Sequence, residues 1–215
     1  MTSTVMLAAV RTFLDEVTPS FWTDAEIYAA LADAQNNIID KVLAVYRAKR
    51  MINPDMPMPY TLESLTALVT GTGLAASYIS VPSDYLEMVY AKWDSDSTGT
   101  QYRCEVMSAT YNNFREDNTF LSATHTKPIC QVSPITTGST VLINFLPVYK
   151  VAATYEVQYI ATPTDIAAGQ NAKLPANTHN AMIHFAVARM LDKDQRLQEA
   201  QMHQQIYLQE LQTVS

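Results

Sequence analysis

The apolar periodicity of the chain changes twice, and this change sets the fold class. Residues 1–50 and 175–212 place apolar side chains at helical spacing, whereas residues 76–160 hold β-branched and aromatic runs broken by turn residues. Helical ends around such a middle predict an α+β chain. The expected architecture is a helical body from the N- and C-terminal segments (1–75 and 161–215), with an inserted antiparallel β-rich module (76–160) that carries a short helix.

Local signals place the elements. A first helix is expected over Thr4–Glu16, where Val5, Ala8, Ala9, Thr12 and Phe13 share a face. Thr23-Asp24-Ala25-Glu26 is a capping box, in which the Thr hydroxyl and the Glu carboxylate each satisfy a free backbone N–H. It opens a helix whose stripe is Ile27, Leu31, Ala34, Ile38, Val42 and Val45, and which closes on Arg47, Lys49 and Arg50, where cations suit the helix dipole. The prolines of residues 51–60 demand an extended connector. A short helix over Glu63–Thr70, ended by Gly71 and Gly73, is expected next.

Strands are expected at Tyr78–Val81, Leu86–Trp93, Gln101–Met107, Pro128–Val132, Val141–Phe145 and Thr154–Ile160. The second and third read as a hairpin with a long polar tip, and Ser108–Asp117 as a short helix. Together they suggest a small antiparallel sheet or a barrel-like sandwich. Leu174-Pro175 marks the return to helix, since proline is tolerated in a first turn. Ala181–Leu191 is apolar nearly all round and should be buried on most faces. Gln195–Gln212 is glutamine-rich with few apolar anchors, and such a terminal helix is marginal without a partner.

Composition excludes several function classes. The formal net charge is −7, and the densest basic run is Arg47-Ala48-Lys49-Arg50, too little to grip a phosphate backbone. No apolar run is long enough to cross a membrane, and Arg11 is the first charged side chain, so the layout of a secretory signal is missing. Cys104 and Cys130 have no neighbouring Cys or His at metal spacing; they are read as reduced thiols unless their strands are neighbours in space. His179 and His184 are five apart, a spacing that does not put two ligands on one helix face. Gly71-Thr72-Gly73 is no nucleotide-binding loop, and the acid pairs Asp94/Asp96 and Asp192/Asp194 lack the rest of a calcium loop. No catalytic residue, cofactor or metal is expected.

Four segments, in this order, carry a resemblance: Phe21-Trp22-Thr23-Asp24-Ala25-Glu26-Ile27 with Ala30–Ile39; Val81-Pro82-Ser83-Asp84-Tyr85-Leu86-Glu87; Tyr155–Pro163; and Leu174-Pro175 with Asn180–Arg189. Their succession resembles the head-to-tail adaptor (connector) proteins of tailed bacteriophages. The resemblance implies a virion structural protein, made in the host cytoplasm, that sits at the head–tail junction. Copies in that family, commonly twelve, form a homo-oligomeric ring that docks under the portal protein and extends the DNA channel. The ring also meets the next tail component. The resemblance further implies portal contact on Gln195–Ser215, where the candidate contacts are Leu197, Gln201, Gln204, Gln205, Tyr207, Leu208 and Leu211.

Physical reasoning agrees. A polar terminal helix can order on binding and so serve as a docking arm. An acidic wall lets DNA pass without specific binding. A ring needs two different contact faces on each subunit. Competing readings are a tail-completion, collar or tail-tube component, and a non-viral interaction module.

Overall fold

The computed structural model describes residues 1–16, 21–53, 56–74, 78–94, 99–107, 122–134, 141–147 and 153–213. The chain forms two compact units, one of Met1–Leu65 with Pro163–Ser215 and one of Thr66–Thr162. It is an α+β fold with helical ends and an inserted β module.

The first unit is helical. Helix α1 (Ser3–Phe13) starts at Thr2, whose hydroxyl accepts from Val5 N, and buries Met6 and Val10. It ends in a Schellman turn: Asp15 takes a left-handed φ of 57°, Asp15 N donates to Thr12 O and Glu16 N to Arg11 O. Helix α2 (Asp24–Ile52) has both halves of the capping box. Ile27, Leu31, Ala34, Ile38 and Val42 are buried as the stripe predicts, but Val45 is exposed and Tyr46 takes its place. The stripe steps by four at its end, from Val42 to Tyr46, because the buried arc has widened to include Ile39 and Leu43.

Between α1 and α2 lies a charge cluster in which Arg11 and Glu16 are buried and Asp24 is exposed. Arg11 donates to Trp22 O at 2.9 Å, to Asp24 Oδ1 at 2.5 Å and to Glu16 Oε2 at 3.4 Å. Glu16 accepts from the backbone N–H of Phe21 and Trp22. These bonds tie the end of α1 to the start of α2. A one-turn helix, α3 (Tyr60–Glu63), follows the connector. A 3₁₀ turn (Ala176–Thr178) then leads into α4 (His179–Lys193), and α5 (Leu197–Gln212) closes the chain.

The second unit contains two four-stranded sheets. One has the order β1 (Thr66–Leu74), β8 (Ala153–Ala161), β3 (Tyr85–Asp94), β4 (Tyr102–Arg103). The other has the order β2 (Tyr78–Ser80), β7 (Val141–Leu146), β6 (Ile129–Pro134), β5 (Glu105–Met107). Their inward residues share one core of Met88, Ala91, Trp93, Cys104, Cys130, Ile143, Phe145, Ala153 and Val157. Trp93 and Phe145 stack at 4.9 Å between ring centroids. Both cysteines are free and buried; burial pushes the Cys104 thiol up to about 12 and the Cys130 thiol well above its ordinary value.

Residues 66–74 form β1, paired antiparallel with β8, instead of the helix expected over Glu63–Thr70. Thr66, Val69 and Thr70 are β-branched, and Gly71 is no helix terminator: the ring of its cross-strand partner Tyr155 occupies the space a Cβ would need, 2.5 Å away. The hairpin partner of β3 is only Tyr102–Arg103, because Glu105–Met107 leaves that sheet and pairs parallel with β6. Ser108–Asp117 lies outside the described residues.

Asp84 links the ends of β3 and β8. Its backbone carbonyl accepts from Thr162 N at 2.6 Å and its carboxylate from the Tyr159 hydroxyl at 3.0 Å. Two of the segments quoted above for the resemblance, around Asp84 and Tyr159, are thus direct neighbours.

Candidate docking surface

Helix α4 is the hydrophobic pillar of the helical unit: Ala181, Met182, Ile183, Ala186, Val187, Met190 and Leu191 are all buried. It ends where Asp192-Lys193-Asp194 breaks the apolar run. A second Schellman turn forms there, with Gln195 at φ 61°, Gln195 N donating to Asp192 O and Arg196 N to Leu191 O. This turn folds α5 back along α4. Arg196 pairs with Glu199 in the first turn of α5, and Arg189 on α4 reaches Asp33 on α2 at 3.1 Å.

The face of α5 toward the body is Ala200, His203 and Tyr207. Tyr207 is fully buried; its hydroxyl donates to Asn37 Oδ1 at 2.6 Å, and its ring meets Phe185 edge-on at 5.1 Å. Lys41 Nζ stands 4.9 Å from the ring centroid, and burial pushes the phenol up to about 12. His203 Nδ1 lies 2.8 Å from His184 Nδ1 on α4, and Phe13 of α1 packs against both imidazoles.

A second stripe runs along α5 beside the buried one. Leu197, Gln201, Gln204, Leu208 and Leu211 follow at alternating steps of four and three, which keeps them on one face. Leu197 is 57% exposed and Leu208 43% exposed. Gln201 and Gln204 are also exposed, and Leu211 is half-buried. Toward α4 the stripe opens onto a groove of about 540 Å³, whose other wall includes Phe185, Ala188 and Arg189.

Six of the seven residues singled out in the sequence therefore stand at the surface, five in the stripe and Gln205 beside it. Tyr207 does not: it is an anchor for α5, and its side chain is unavailable to a partner in this packing. The expectation of an underpacked arm is corrected at the same point, because α5 is fastened to α2 through Tyr207 and to α4 through Phe185 and His184. The face of α4 left open is the groove wall: Phe185 is half-buried and Arg189 exposed there, while Ala188 beside them is buried.

Among the described residues, no group of three or more His, Cys, Asp or Glu could hold a metal ion, and no helix is long and apolar enough to cross a membrane. What the helical unit offers is a held helix with an outward stripe and a groove beside it. The model of the SU10 adaptor protein family matches residues 1–215. The chain belongs to that family. The match spans both units, so the helical ends and the inserted sheets together make up one adaptor. This bears out the resemblance to phage head-to-tail adaptors and makes the chain a structural adaptor protein of phage. None of the curated proteins compared with the adaptor matches it.

Proposed function

We propose that copies of this adaptor assemble into a ring, commonly of twelve subunits in such proteins, which docks under the portal, extends the DNA channel and joins capsid to tail. The α5 stripe is the portal contact. The observation that carries this reading is the division of α5 into two faces: one locked into the body by Tyr207 and His203, the other presenting Leu197, Gln201, Gln204 and Leu208 beside an open groove. A helix fixed in this way loses little conformational freedom on binding, which favours affinity.

The charge balance supports a passive role toward DNA. With a net charge of −7, the chain repels phosphates and offers no basic stripe on which a genome would stall. The next tail component would meet the opposite side of the ring.

Surface substitutions on α5 test the portal contact without disturbing its anchors. The double variant Leu197→Glu, Leu208→Glu keeps Tyr207 and His203 in place. It is expected to fold normally, by circular dichroism, and to lose co-sedimentation with purified portal. A variant that folds and still co-sediments like the wild type removes α5 from the portal interface.

A further inference from the structure

The contact between His184 and His203 is unusual in joining two titratable rings through the same atom type. Because the two Nδ1 atoms lie 2.8 Å apart, one ring must donate its Nδ1–H and the other accept on a bare Nδ1. The rings are tilted by 31° with centroids 5.1 Å apart, and Phe13 covers both, at 5.2 Å from His184 and 5.3 Å from His203. His203 is 6% exposed. The pair is thus a polar joint between α4 and α5, partly buried and flanked by Phe13 of α1.

Proton counting fixes how this joint behaves. A first proton can enter at Nε2 of the donating ring and leave the Nδ1–H···Nδ1 bond intact. A second proton has to sit on the accepting Nδ1. It turns the bond into two opposed N–H groups and brings two imidazolium ions to hydrogen-bond distance in a partly buried site. We propose that this histidine pair is a proton-operated latch on α5, closed while at most one proton is shared and opened by the second. The latch controls how tightly the helix bearing the docking stripe is held to the body. Its use in portal docking rests on the reading above; the latch itself does not.

The surroundings set the direction. Burial holds both histidines below the ordinary value of 6.5, and the neighbouring His184 lowers His203 further. Two carboxylates of α5 oppose this, Glu210 acting on His184 and Glu199 on His203. Glu199 is already engaged by Arg196. From α1 the joint meets the uncharged Phe13. Since the closed state binds protons less readily than the open one, the latch is fully effective above about pH 6.5 and weakens as pH falls through the depressed values.

Hydrogen exchange on the full-length chain tests this directly. Between about pH 7.5 and about pH 5, after correction for intrinsic rates, amides of residues 197–212 should lose roughly tenfold or more protection relative to those of α2, one pH unit of linkage being a factor of ten. His203→Gln replaces the second titrating ring with a neutral group, and His184→Gln does so from the other side. Each is expected to abolish the pH-dependent loss while leaving α2 protected. If wild-type α5 keeps its protection at about pH 5, if α2 loses protection in parallel, or if both variants retain the wild-type profile, the latch is refuted. Failure here is read in exchange, whereas failure of the portal reading is read in co-sedimentation.

Discussion

The Tyr207 hydroxyl donates to Asn37 Oδ1 at 2.6 Å, joining the C-terminal helix to the long N-terminal one across 170 residues of sequence. Together with the contacts of Tyr207 to Phe185 and of His203 to His184, this bond sets which way α5 faces. With Tyr207 inward, Leu197, Gln201, Gln204 and Leu208 are left outward, so the stripe proposed to dock is defined by its anchor.

Removing the anchor should separate its two contributions. Tyr207→Phe deletes the hydroxyl and leaves the half-buried amide of Asn37 without that donor, which costs about 0.5–1.5 kcal/mol. Tyr207→Ala also removes a buried aromatic ring, at a cost of about 3–5 kcal/mol. Chemical denaturation followed by circular dichroism measures both. Truncation before Leu197 should likewise destabilise the helical unit, because it exposes the faces of α2 and α4 that Tyr207 and His203 cover.

The Arg11 cluster should behave as a buried ion pair. Arg11→Leu withdraws the cation from Glu16, which remains 9% exposed with its two backbone donors, and removes the donor to Trp22 O. Losing one partner of such a pair costs about 3–5 kcal/mol. The joint loss Arg11→Leu, Glu16→Leu should cost less than the sum of the single changes, a coupling that a double-mutant cycle reads in the midpoint of urea unfolding.

Gly71 is predicted to be intolerant for a reason in the adjacent strand. A Cβ there would lie 2.5 Å from the Tyr155 ring, so Gly71→Val should destabilise by about 1–3 kcal/mol. Combining it with Tyr155→Ala should relieve the clash, leaving a smaller penalty than the two single changes added together. Thermal unfolding of the three variants supplies the comparison.

Cys104 and Cys130 should resist thiol reagents in the native state. Burial pushes the Cys104 thiol up to about 12, so the reactive thiolate is scarce at neutral pH as well as shielded. Labelling with a chromogenic disulfide at about pH 8 should proceed only at the rate of unfolding, and rapid labelling of the folded protein would contradict the sandwich core.

The sequence was most legible where the signal is local. The Thr23–Glu26 capping box is complete within four residues, and both of its reciprocal bonds form. The apolar run of α4 and the strands β3, β7 and β8 were also legible, because their periods are short and uninterrupted. What escaped depended on distant partners. The segment Thr66–Leu74 ends in a glycine-rich stretch that suits a helix terminus, and it is a strand because it pairs along its length with β8, where Tyr155 fills the space over Gly71. Glu105–Met107 looks like the return of a hairpin, yet its partner is Ile129–Gln131. Along α5, Leu197, Tyr207, Leu208 and Leu211 look alike as apolar anchors; Asn37 and Phe185 are what select Tyr207 for the interior. The His184–His203 joint spans two helices and a turn, outside the reach of any spacing rule within one helix.

Electron cryomicroscopy of the adaptor mixed with purified portal should show a closed ring of adaptor copies beneath the portal, with Leu197, Gln201, Gln204 and Leu208 covered by portal density. Adaptor that stays unassembled in the presence of portal, or a ring whose α5 stripe faces solvent, would contradict the proposed docking.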